Sequence, residues 1–98
     1  MRLTQQEIKA IKKTFKEVFK EGNIYLFGSR VDDTKRGGDI DLYVDTPLSL
    51  NTRESLEKKS KFRLKLYELI GEQKIDIVVS KDKQRSIEKE ILKSGVLL

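Results

Sequence analysis

The amino-acid sequence predicts a small α/β (α+β) sandwich, with one sheet of about three strands and helices packed against it. Two observations carry that prediction. The runs Asn23 to Phe27, Asp39 to Val44 and Lys74 to Val79 have the apolar patterning of strands. Three stretches of helical spacing precede, separate and follow them. Ninety-eight residues suffice for one domain, 1–98, with a single modest core. No internal repeat, low-complexity segment or interdomain linker interrupts it.

The first helix is announced by Thr4 and Glu7, three residues apart as in a capping box, with Leu3 and Ile8 at the hydrophobic staple positions. Ile8, Ile11, Phe15, Val18 and Phe19 then follow helical spacing on one face, and Gly22 suits the stop. Asn23-Ile24-Tyr25-Leu26-Phe27 is apolar on both faces, as an interior strand is, and runs straight into Gly28-Ser29-Arg30. Val31 to Gly38 is polar and glycine-ended, a loop with room for one helical turn. The second strand alternates cleanly until Thr46-Pro47 breaks it. Asn51 with Glu54 caps a long helix from about Asn51 to Ile70, its buried stripe supplied by Leu56, Phe62, Leu66, Leu69 and Ile70. Gly71 ends that helix and the third strand follows. A last helix from about Lys83 to Lys93 carries Ile87 and Ile91, and Gly95 releases an apolar tail, Val96-Leu97-Leu98.

Composition removes several chemistries. Without cysteine there is neither a disulfide framework nor a thiolate zinc site. Without histidine, Ser-His catalysis and imidazole-ligated metals are excluded together. Chemistry must therefore rest on carboxylates, hydroxyls, Lys, Arg and backbone amides. The N-terminal segment has no apolar core of the signal-peptide kind and no segment is long enough to span a bilayer, so a cytoplasmic location without membrane attachment is expected. The net charge of +5 suits a lysine-rich solvated surface, and would equally attract nucleotides, RNA or an acidic partner.

Strand parity brings the carboxylates together. Ile40, Leu42 and Val44 point one way and Asp39, Asp41 and Tyr43 the other, while Asp76 lies opposite the Ile75, Ile77, Val79 face of the third strand. If the two strands pair with their apolar faces on the helices, Asp39, Asp41 and Asp76 fall on one side, on strands roughly 5 Å apart. One such aspartate would simply decorate a wet sheet face. Three repel one another, and strands disfavour Asp in any case. A hard dication reverses that balance: magnesium takes oxygen ligands, few of them from protein, and completes its shell with phosphates and water. Two ions about 4 Å apart polarise a reacting phosphorus and lower the pKa of an attacking hydroxyl. Gly28 lets the backbone turn closely after an interior strand, so that the following amides and the Ser29 hydroxyl can meet an anion. Alone, Gly-Ser is a common turn dipeptide.

Phe27-Gly28-Ser29-Arg30 followed by Gly38-Asp39-Ile40-Asp41-Leu42-Tyr43-Val44 resembles the signature of the DNA polymerase β-type nucleotidyltransferase superfamily, and more narrowly its small MNT-type members. Asp76 matches the family's third carboxylate, so the resemblance covers nearly the whole chain. It implies a mixed sheet with helices on one face. It also implies nucleotide phosphates held at Gly28, Ser29 and Arg30, and two Mg2+ ions held by Asp39, Asp41 and Asp76, with ATP as substrate. In the family Asp41 would bridge both metals, and Asp76 would serve the metal that activates the acceptor hydroxyl. The sequence departs from the pattern twice. The nine residues between Ser29 and Asp39 are one fewer than in many members, and Gly38 stands where serine commonly precedes the first aspartate. A reshaped loop is expected, with roles for Lys35 and Arg36 left open and Arg30 either clamping phosphate or pairing with Asp32 or Asp33.

Larger relatives carry a helical domain for the acceptor, and this chain has no residues left for one. The acceptor site is therefore expected from another protein or another copy, in a homo- or hetero-oligomer. The resemblance suggests a HEPN-type helical partner, encoded next to this chain as toxin to its antitoxin, that receives AMP on a tyrosine hydroxyl. Two other readings are the catalytic subunit of a two-component small-molecule nucleotidyltransferase and a non-catalytic antitoxin that masks its partner by binding. Stable nucleic-acid binding is not expected, because no aromatic-basic stacking motif is present and a polynucleotide would meet the acidic cluster. The Val96-Leu97-Leu98 tail is either a partner contact or folds back over its own core.

Overall fold

The computed structural model describes residues 2–32 and 38–98. The elements run α1 (Gln5–Val18), β1 (Asn23–Phe27), a 3-10 turn (Gly28–Val31), β2 (Ile40–Asp45), α2 (Thr52–Ile70), β3 (Ile75–Val79), α3 (Ser86–Ser94) and β4 (Val96–Leu97). The sheet is mixed and ordered β3-β2-β1-β4: β1 is antiparallel to β2 and β4, and β2 is parallel to β3. It thus has four strands where about three were expected. The extra one is the apolar tail, too short for alternation to reveal it. Leu97 pairs with Tyr25 and Val96 with Leu26, so the tail folds back on its own sheet.

Both capping boxes form. The Thr4 hydroxyl accepts from the Glu7 amide and the Glu7 carboxylate from the Thr4 amide; Asn51 and Glu54 do the same at the start of α2. α1 ends at Val18, earlier than Gly22, because the chain is turned at Lys20, which adopts a left-handed φ of 71°. α1 and α2 pack against each other and cover one sheet face. Ile11, Phe15, Val18 and Phe19 meet Phe62 and Leu66 there, over Ile24, Leu26, Ile40, Leu42, Val44, Ile75 and Ile77. Lys58 donates to the Val18 carbonyl at 3.0 Å and lies over the Phe19 ring.

Helical periodicity overreached at two positions: Leu56 and Leu69, expected in the buried stripe of α2, are exposed at 56% and 42%, and Ile87 of α3 is exposed at 46%. Phe62 and Leu66 are the buried residues of α2, Tyr67 and Ile70 pack partly against the core, and the other leucines fall outside that stripe. α3 starts at Ser86, later than Lys83, after a turn in which the Asp82 carboxylate accepts from the Gln84 amide.

Because β3 and β4 form opposite edges of the sheet, α3 must cross it. It crosses the face opposite α1 and α2, so the helices do not all lie on one face. There Glu88, with Ile91, is buried, and its carboxylate accepts from the Tyr43 hydroxyl at 2.7 Å. Tyr43 therefore shares the aspartate face, as parity requires, but at the end that α3 covers. The end bearing Asp41 and Asp76 stays open. Among the described residues no helix is long and apolar enough to cross a membrane.

Candidate active site

Parallel pairing of β2 with β3 sets Asp41 directly beside Asp76. Both side chains point away from the helix-covered core, and Asp76 is exposed. Burial pushes the Asp41 carboxyl up from its ordinary value; the neighbouring charges of Asp76 and Asp39 push it the same way, and Lys74 opposes them. A hydrogen bond with the Asp76 carboxyl adds to the same upward push.

Asp39 sits differently from its two companions. It precedes β2 by one residue, and its Oδ2 lies 3.4 Å from Lys74 Nζ in an exposed ion pair. The same register explains the pairing: with Ile40 opposite Ile75, the preceding residues of the two strands fall side by side. Lys74 is thus a member of the site that sequence reasoning missed, although strand parity in Lys74-Ile75-Asp76 could have found it. As the side chains stand, the described residues contain no group of three carboxylates that could hold a metal ion. Asp41 and Asp76 form a pair, and Asp39 is drawn aside by the lysine.

Gly28 and Ser29 open the 3-10 turn that follows β1 directly. β1 delivers Gly28 beside β2, Phe27 being paired with Asp41. Gly28 has a left-handed φ of 77°, and a Cβ there would collide with Asp41 Oδ2. The loop backbone therefore lies against the carboxylate, an approach only glycine permits. Gly38 closes the other end of the loop at a φ of 88°, where a Cβ would collide with the Ser29 hydroxyl. The unusual glycine before Asp39 thus has a steric reason: in this shortened loop Ser29 occupies the space that a side chain at position 38 would need.

Arg30 is held by backbone carbonyls. Its Nη1 donates to the Arg2 carbonyl at 3.1 Å and its Nε to the Gly38 carbonyl at 3.4 Å. Arg2 reciprocates. Its amide donates to the Arg30 carbonyl at 2.8 Å, and its guanidinium reaches the Ser29 carbonyl at 3.1 Å and the Asp32 carbonyl at 3.2 Å. The two arginines clasp the N-terminal segment, the glycine turn and the residue before Asp39 into one piece. Nothing in the sequence signalled Arg2, since the bonds run to backbone carbonyls that no residue pattern marks. Asp33, Lys35 and Arg36 lie outside the described residues.

An open cleft of about 540 Å³ extends from Asp41 and Asp76 over the edge of β3 to Lys59 and Arg63 of α2. Paired carboxylates with a glycine turn against one of them, and basic side chains across the cleft, are the kinds of group that phosphate chemistry uses. Residues 9–98 match the family described as polymerase beta, nucleotidyltransferase. No curated protein matches the chain. With nearly its whole length matched, the chain belongs to the polymerase β-type nucleotidyltransferases.

Proposed function

We propose that this protein is a minimal, MNT-type nucleotidyltransferase that transfers AMP from ATP to a hydroxyl of a protein acceptor, a tyrosine of a HEPN-type toxin encoded beside it, and so acts as an antitoxin. The observation that carries the reading is the direct pairing of Asp41 with Asp76 against the Gly28 turn. In the reaction the acceptor oxygen attacks the α-phosphorus. The bond from that phosphorus to the bridging oxygen of the β-phosphate breaks, pyrophosphate leaves, and the hydroxyl proton passes to Asp76 or to water beside it.

The donor set fits divalent metal in its chemistry: hard carboxylate oxygens, with Asp41 set beside Asp76 and the Gly28 backbone close against it. Asp39, Asp41 and Asp76 would hold two Mg2+ ions, Asp39 after release from Lys74. Bound there, the metal would neutralise phosphate charge and increase the acidity of the acceptor hydroxyl. The chain itself supplies position. Gly28 and Ser29 hold the phosphates of ATP, the arginine clasp fixes that turn relative to Asp39, and Asp76 faces the acceptor side of the cleft.

Two variants test the positioning. Gly28→Ala introduces a Cβ where Asp41 Oδ2 lies and strains a left-handed residue. It is expected to reduce kcat/KM by roughly a hundredfold, about 2.7 kcal/mol, while thermal unfolding changes by only a few degrees; unaltered kinetics would remove the turn from the site. Arg2→Met keeps the aliphatic stem and loses both carbonyl contacts of the guanidinium. Nucleotide KM is expected to rise about tenfold with kcat nearly kept, an effect of one or two hydrogen bonds. A fall in kcat at constant KM would place Arg2 elsewhere in the mechanism.

The reading is tested by the intact mass of the adjacent gene's product after incubation with this protein, ATP and Mg2+. Added AMP is the expected result; no addition with any of the four ribonucleoside triphosphates would count against transfer. The ion pair between Lys74 and Asp39 favours a second reading, a protein that masks its partner without catalysis. Under it, Asp41→Asn would neutralise the partner as fully as the wild type does.

A further inference from the structure

Leu56 and Ile87 are large aliphatic side chains exposed on separate helices, and both line one groove of about 340 Å³. The groove runs along the free edge of β3, between the first half of α2 and the start of α3. It shares Leu56, Lys59 and Val78 with the carboxylate cleft, so the two form a continuous channel. Its charged side chains are Lys59, Lys81 and Arg85, and no acidic residue lines it. Lys59 and Lys81 make no ion pair among the described residues; Arg85 reaches the buried Glu88 at 3.4 Å. An apolar strip bordered by unpaired cations, and ending at the reacting carboxylates, asks for a ligand with apolar and acidic groups side by side.

We infer that this groove docks the protein acceptor, through an amphipathic segment whose apolar residues cover Leu56 and Ile87 and whose Asp or Glu residues pair with Lys59, Lys81 and Arg85. Nucleic acid is the poorer match. The groove offers aliphatic groups with no aromatic side chain on which bases could stack. A helix laid in it with its acidic flank on the lysines would direct the residues beyond its end toward Asp76. The inference rests on the proposed transfer only in naming the occupant an acceptor, and docking is measurable without chemistry.

The probe is a synthetic, fluorescein-labelled amphipathic helix with leucines at i, i+3, i+4 and i+7, glutamates elsewhere and one terminal tyrosine. Fluorescence anisotropy follows its binding to the full chain. The acidic helix is expected to bind at least tenfold more tightly than a twin with lysines for glutamates, and added salt should weaken it. Leu56→Asp and the double variant Lys59→Glu/Lys81→Glu, all at surface positions, should each weaken it at least tenfold, with thermal unfolding as the check on folding. Asp41→Asn should leave docking unchanged. Equal binding of the two helices, or wild-type binding by Leu56→Asp, would overturn the docking site. So would an RNA oligonucleotide that binds more tightly than the helix and is lost only in the lysine variant. AMP on the tyrosine, read by mass, separates the two claims: docking without transfer sinks the transfer reading alone, and transfer that ignores Leu56 sinks the groove alone.

Discussion

Replacing Asp41 with asparagine is expected to abolish nucleotidyl transfer and, in the absence of metal, to raise the melting temperature. Both effects have one origin. Asp41 is partly buried between Asp76 and Asp39, and burial and those charges together raise its carboxyl. The folded protein therefore carries an electrostatic penalty at neutral pH that the unfolded chain does not. Asparagine keeps the shape and removes the charge, so in EDTA the variant should melt a few degrees above the wild type. Mg2+ should stabilise the wild type by binding only its folded state, and leave the variant almost unmoved. Transfer should fall roughly a thousandfold or more, several kcal/mol of transition-state stabilisation at 1.36 kcal/mol per tenfold. Differential scanning fluorimetry with and without Mg2+, beside an activity assay, reads all of this. A variant that melts lower than the wild type in EDTA would show that Asp41 serves the fold.

Glu88 is the opposite case, a buried charge that holds the structure together. It is fully buried, and its carboxylate accepts from the Tyr43 hydroxyl, the Lys81 amide and the Asp82 amide, with Arg85 beside it. Burial alone would raise the carboxyl. The Tyr43 hydrogen bond, the two amides and the Arg85 charge outweigh it and hold Glu88 below its ordinary value. Burial also pushes the Tyr43 phenol up, and the Glu88 carboxylate adds to that, so the hydroxyl remains a donor. Glu88→Ala leaves the buried hydroxyl and two amides without partners and should cost about 3–5 kcal/mol. For a domain whose total stability is on the order of 5–15 kcal/mol, that is a large share, and the melting temperature should fall on the order of 20 °C. Tyr43→Phe removes one donor and should cost about 1–2 kcal/mol. A carboxylate with a depressed folded pKa stabilises the fold above its unfolded value, here 4.5, and that contribution is lost as pH falls through the folded value. Urea denaturation should therefore show the gap between wild type and Glu88→Ala narrowing below pH 4.5. A constant gap down to pH 3 would mean that the carboxylate charge contributes little.

The contrast between these two residues shows what the sequence could convey. Asp41 and Asp76 were legible because a strand alternates strictly, so parity alone placed both carboxylates on the face away from Leu42 and Ile77. Both capping boxes were legible for a similar reason, since the Thr4 to Glu7 and Asn51 to Glu54 spacings are fixed by helix geometry. Glu88 was hidden. Helical spacing groups Ile87 and Ile91 on one face but does not say which neighbouring residue the crossing of the sheet will turn inward. α3 buried Ile91 and Glu88 and left Ile87 outside. The arginine clasp was hidden because its acceptors are backbone carbonyls, and β4 because two residues are too few to show a period. Lys74 was within reach of the parity argument that found Asp76.

The central claim is that the paired aspartates and the Gly28 turn form one metal-dependent nucleotide site. Isothermal titration of a non-hydrolysable ATP analogue tests it without any acceptor. Binding should require Mg2+ in the wild type, and should weaken at least tenfold in both Asp41→Asn and Asp76→Asn. Nucleotide binding that is indifferent to Mg2+, or equal in the wild type and Asp41→Asn, would contradict it.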